Sequence, residues 1–185
     1  MNIFKILAAT LLTLYFGVAI GSSESEKTTI GDAVMAVTST SPAFEAVKKK
    51  LGKWEGQMTQ SLNGDVFDVS YEWRLTSGGN TITETIVEDG VEMLTTYSDQ
   101  DGELVIKHYC ALGTEPVFKV SDMTASAMSI SFDAKKSSLH ADHHSFVTEM
   151  KWTMNSKDEN SMIFENKVNL DGELTTNRAV LKRSL

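Results

Sequence analysis

The sequence predicts an all-β fold: an antiparallel up-and-down β-barrel of about ten strands, preceded by one short helix. Three observations carry this. From Gly52 onward the apolar residues recur with a period of two, as on a half-buried strand. Turn signals recur at short intervals: Asn63-Gly64-Asp65, Gly78-Gly79-Asn80, Asp89-Gly90, Asp101-Gly102, Ser156-Lys157-Asp158 and Asp171-Gly172. Nothing between them is long enough for a crossover helix, so each strand pairs antiparallel with its predecessor.

The expected strands are 54–61, 66–76, 81–87, 91–98, 103–110, 117–121, 127–132, 145–155, 161–170 and 174–182. Segment 66–75 shows the alternation most plainly. Phe67, Val69, Tyr71, Trp73 and Leu75 share one face, and Asp68, Ser70, Glu72 and Arg74 share the other. Segment 145–154 repeats it, with Phe146, Met150, Trp152 and Met154 facing in. Closure into a barrel removes the two long edges that an open sheet would expose; a β-sandwich is the alternative. The irregular stretch from Asp133 to His144 reads as a lid or mouth loop.

Three segments precede the strands. Residues 1–21 read as a signal peptide: Lys5, an apolar run from Ile6 to Ile20, then Ala19-Ile20-Gly21 before a cut ahead of Ser22. An uncleaved membrane anchor is the competing reading, but the run is short for a bilayer span of about 20 residues. Residues 22–41 are rich in Ser, Thr, Glu and Lys and read as a flexible linker leading to the domain at 42–185. Ser41 is placed to cap a helix with Pro42 at its first position, and Phe44, Val47 and Leu51 continue it to residue 51. Lys48-Lys49-Lys50 then lies in the last turn, where it complements the helix dipole.

The formal net charge of −8 repels phosphate backbones, so no nucleic-acid partner is expected. No membrane partner is expected after cleavage; the protein should be exported to a periplasmic or extracellular space. Cys110 is the sole cysteine, so the barrel must stand without an internal disulfide.

Gly52-Lys53-Trp54, opening the first strand directly after the helix, resembles the G-x-W start of the calycin (lipocalin-like) superfamily. Met93-Leu94-Thr95-Thr96-Tyr97, Asp101-Gly102 and His108-Tyr109-Cys110, followed by Gly113 and Pro116, are similar to a block in an uncharacterised secreted bacterial family of that superfamily. His144-Ser145-Phe146 and Leu181-Lys182-Arg183 also resemble it, so the likeness spans about 51–183. It implies a barrel and export, and no assigned activity. It also implies that Trp54 packs at the barrel base against an arginine of the last strand, with Arg178 favoured over Arg183.

Strand parity nominates a ligand-binding interior. If Lys107 faces solvent, then Leu104, Ile106, His108 and Cys110 face inward. Ile82 and Ile86 carry Glu84 in with them; Tyr97 lies on the inner face of 91–98, and His144 extends the face of Phe146. A buried carboxylate beside a buried imidazole would satisfy both, so Glu84 is the expected partner of His108. Tyr71, Trp73, Met93 and Trp152 are expected as walls, with Phe67, Ile106, Met150 and Phe164. The same polar residues serve equally as a structural network.

No cofactor and no metal is expected. His143 and His144 are adjacent and would point to opposite faces of a strand, and a structural zinc wants four convergent ligands. His108 and Cys110, two apart on a strand, stand about 7 Å apart along it, too far for a thiol–imidazole pair. No G-x-S-x-G or G-x-G-x-x-G occurs. Three functions remain: binding a small, largely apolar ligand in the barrel, a structural or interaction domain with a filled barrel, or an enzyme using Glu84 or His108 as acid or base. Binding without catalysis is the expectation, and cavity volume separates the first two: an enclosed pocket of about 300 Å³ or more supports binding, and a filled barrel supports the structural reading.

Overall fold

The computed structural model describes residues 40–184; the signal segment and nearly all of the linker lie outside the described residues. One helix, α1 (Pro42–Lys48), precedes ten strands: β1 (Gly52–Gln60), β2 (Val66–Thr76), β3 (Thr81–Glu88), β4 (Val91–Gln100), β5 (Glu103–Tyr109), β6 (Val117–Met123), β7 (Ala127–Phe132), β8 (Phe146–Asn155), β9 (Asp158–Leu170) and β10 (Glu173–Arg183). Each pairs antiparallel with its neighbour, and β10 returns to β1 to close the barrel. Asp89-Gly90, Asp101-Gly102 and Asp171-Gly172 all have positive φ at both residues, the conformation that tight hairpin turns demand.

The seam between β1 and β10 runs through Gly56, which faces Leu181. A Cβ there would collide with the backbone carbonyl of Val180, so only glycine lets the strands approach. The β5–β6 seam is the thinnest, with the ladder pairs Ile106↔Phe118 and Lys107↔Val117.

The strands alternate between core and solvent except where β8 buries both Phe146 and Val147, beside a register shift, and where β9 buries both Ser161 and Met162. Leu75 departs from its expected inward face: it stands at the frayed end of β2 and is 46% exposed. One end of the barrel, where β1 starts and β10 finishes, is filled by Trp54, Tyr71, Trp73, Tyr97, Trp152 and Phe164. Their rings pack at 5.1 to 6.3 Å centroid distances, stacked, tilted or edge-on. Burying each large ring stabilises the fold by roughly 2–3 kcal/mol. Helix α1 buries Phe44 and Val47 at 0% exposure. Ser41 caps it by accepting from the Phe44 N–H at 3.1 Å, and the Ser41 N–H is tied to Asp99 at 2.6 Å. At the opposite end lie the turns 61–65, 89–90 and 171–172 and the long 133–145 connection.

Candidate functional site

The site begins where the helix stops. α1 ends at Lys48, earlier than the expected residue 51: the Lys50 and Leu51 N–H groups bond the Val47 and Lys48 carbonyls, three residues back, in a tighter turn. Trp54 donates its indole N–H to the Lys50 carbonyl at 2.8 Å. Arg183 donates to the carbonyls of Lys49, at 3.1 Å, and Leu51. Its guanidinium lies 4.3 Å from the Trp54 ring centroid, a cation–π stack. The arginine at Trp54 is therefore Arg183, not Arg178. Register explains the correction: Trp54 pairs with Arg183, and Arg178 lies opposite Thr59. Ala179 and Leu181 face inward, so Arg178, of opposite parity, is exposed beside Glu165.

This clasp turns Lys50 into the barrel. It is not a surface member of a basic run; it is 3% exposed. Its Nζ lies 3.6 Å from the Trp152 ring centroid, 5.4 Å from that of Tyr97 and 5.6 Å from that of Trp73. No hydrogen-bond acceptor among the described residues meets it. Burial lowers its pKa to about 7, against the opposing pull of Glu84. Burial likewise raises Glu84 to about 7, opposed by Lys50 and by the hydrogen bond from Tyr97.

Glu84, Thr95 and His108 form one row across β3, β4 and β5, since Glu84 pairs with Thr95 and Thr95 with His108. Tyr97 donates its hydroxyl to Glu84 Oε2 at 2.5 Å. The Thr95 hydroxyl lies 2.9 Å from His108 Nδ1. Glu84 and His108 are thus not directly bonded, contrary to expectation; the Thr95 side chain stands between them. His108 is 1% exposed, and its Nε2 meets no partner among the described residues. Burial lowers its pKa to about 4, so the ring is neutral.

Above this row, at the opposite end, the barrel is hollow. A cavity of about 260 Å³ opens there, with His108, Cys110, Met93, Phe67, Met150 and Phe164 in its lining. Asn166 and Asn177 also line it and bond each other at 2.9 Å. Glu88 lines it too and accepts from the Tyr71 hydroxyl at 2.6 Å. Tyr71, Trp73, Tyr97, Trp152 and Glu84 do not reach the cavity; they pack the filled half. Cys110 is half-buried, and burial raises its thiol pKa.

His144 is not in the interior. β8 starts at Phe146, and His144 belongs to a turn in which its N–H bonds the His140 carbonyl at 2.9 Å. Its ring clusters with those of His140 and His143 on the surface, at centroid distances of 4.4 to 6.3 Å. Among the described residues, no three His, Cys, Asp or Glu side chains converge as metal ligands would.

Sequence reasoning missed Lys50, Thr95 and Glu88. Thr95 shares the parity of Tyr97, and Glu88 that of Glu84, so parity signals both. Lys50 lies outside any periodic segment.

No known protein family matches this chain, and no curated protein does. Among solved structures, a redesigned β-barrel is 15% identical, with a TM-score of 0.38, over 76% of this chain and 96% of that one. A structure from Thermobifida fusca YX, named as a candidate thioesterase II, is 10% identical, with a TM-score of 0.17, over 73% of this chain and 79% of that one. Both scores are too low to carry an argument, and the barrel rests on its own strand ladders.

Proposed function

We propose that the protein is an exported, lipocalin-like barrel that holds a small, largely apolar ligand in its open-end cavity, above His108. The observation that carries this reading is the void of about 260 Å³ with apolar walls and a buried, unpartnered imidazole nitrogen at its floor. A buried polar atom without a partner costs about 1–3 kcal/mol, and a ligand head that bonds it recovers that cost. The volume lies just below the roughly 300–1,000 Å³ of most ligand sites, so the ligand held inside is small. Scaling from benzene in a cavity of about 150 Å³, it accommodates roughly ten non-hydrogen atoms. A longer ligand would extend through the mouth. The Trp54–Arg183 stack and the preceding helix support the calycin reading. Glu84 lies outside the cavity lining, which removes support for its use as an acid or base on a bound ligand.

The filled lower half is what a purely structural barrel requires throughout, and one experiment separates the two readings. Native mass spectrometry of the protein from its own host should show a chain beginning at Ser22 with a small retained mass. His108→Ala should lower the retained fraction with little change in melting, whereas Trp73→Ala should damage both. A mature chain that carries nothing and binds no small apolar probe refutes binding. A full-length chain found in the membrane refutes export.

A further inference from the structure

The lining of the cavity carries one sign of charge. Its ionisable residues besides His108 and Cys110 are Asp65, Glu88 and Asp89; among the described lining residues none is Lys or Arg. Asp65 and Asp89 stand exposed at the mouth. Glu88 lies deeper, and the Tyr71 hydroxyl is the one donor that reaches it among the described residues. A carboxylate accepts about four hydrogen bonds when ionised, so the half-buried Glu88 has acceptor capacity left for a ligand. Burial raises its pKa, the mark of a carboxylate lacking a compensating cation.

His108 adds a polar atom: it lines the cavity with an Nε2 that meets no partner among the described residues, while its Nδ1 lies 2.9 Å from the Thr95 hydroxyl. The charge on the lining comes from carboxyls, so a cationic ligand head is favoured and a carboxylic acid would meet like charge at Glu88.

We propose that the cavity selects a small lipophilic amine, its ammonium bound at the Glu88 carboxylate and its apolar body against Met93 and Phe164. The proposal rests on the reading of the cavity as a ligand site and specifies the ligand's class. Glu88 supplies the charge, and the acidic mouth raises the local concentration of cations.

Three probes of nearly equal size test it: phenethylamine, phenethyl alcohol and phenylacetate, titrated calorimetrically into the whole mature chain at neutral pH. The amine should bind about tenfold or more tighter than the alcohol, and phenylacetate weakest. Glu88→Gln should remove the amine's advantage and leave the alcohol within about twofold. An alcohol that binds as well as the amine, or a tighter phenylacetate, overturns the amine proposal while small-molecule binding stands. Failure of all three probes overturns both. The comparison on the unaltered protein decides the matter even if Glu88→Gln does not fold.

Discussion

Burying an ammonium inside a barrel is costly, and Lys50 is tolerated because three ring faces and one carboxylate surround it. Burial acts on both partners, lowering Lys50 from 10.5 and raising Glu84 from 4.5, each to about 7. A raised Glu84 contributes stability in full below its unfolded value and loses it as pH climbs through 7. A depressed Lys50 contributes in full above its unfolded value and loses it as pH falls towards 7. The buried pair is therefore most expensive near neutrality. The double variant Lys50→Met/Glu84→Gln should gain most over the unaltered chain near neutral pH, with the gain shrinking towards about pH 5 and about pH 9. Lys50→Met alone removes the cation that holds down the pKa of Glu84, so relative to the unaltered chain it should be destabilised more at alkaline pH than in acid, where Glu84 takes up a proton. Urea unfolding at three pH values measures both, and a difference that does not vary with pH refutes the account.

At the scale of elements, the turn after α1 is held by chain ends far apart in sequence. Trp54 on β1 and Arg183 on β10 grip the carbonyls of residues 49–51, and that grip aims Lys50. Arg183→Ala removes two charge-assisted hydrogen bonds, worth about 1.5–3 kcal/mol each. It should destabilise the barrel and release Lys50. Amine-reactive labelling read by mass spectrometry should leave Lys50 unmodified in the parent protein and modify it in Arg183→Ala. Protection of Lys50 in the variant would show that the rings alone hold it. Strand identities and their antiparallel order were legible in the sequence because period two and Asp-Gly turns are local signals. The expectation of Arg178 at Trp54 overlooked the same parity: Ala179 and Leu181 fix the inner face of β10 and put Arg178 outside it. His144 misled because parity was extended past the first residue of β8 into a turn. Lys50 was hidden for a related reason: no periodicity governs a connecting turn, and a run of three lysines reads as solvated surface.

The barrel as a whole is asymmetric along its axis. Side chains fill one half, while the other encloses about 260 Å³. Sequence parity identifies which residues face inward, but not whether their volumes meet across the barrel. Thus His108 and Met93 line a void, whereas Tyr71 and Trp152, equally inward, do not. Two substitutions of the same kind test this division. Val168 lines the cavity, and Ala179 is 0% exposed outside its lining, on the inner face of β10 opposite Phe164. A phenylalanine ring at 168 can enter existing space, so Val168→Phe should change stability by less than about 1 kcal/mol. At 179 the ring has no void to enter, and Ala179→Phe should cost about 3 kcal/mol or fail to fold. Val168→Phe should also reduce phenethyl alcohol binding about tenfold, because the ring occupies the ligand's volume. Chemical denaturation and calorimetry on the two variants measure these outcomes. Equal losses of stability at both positions would mean that the open half is packed as tightly as the closed one, and the binding proposal would lose its foundation.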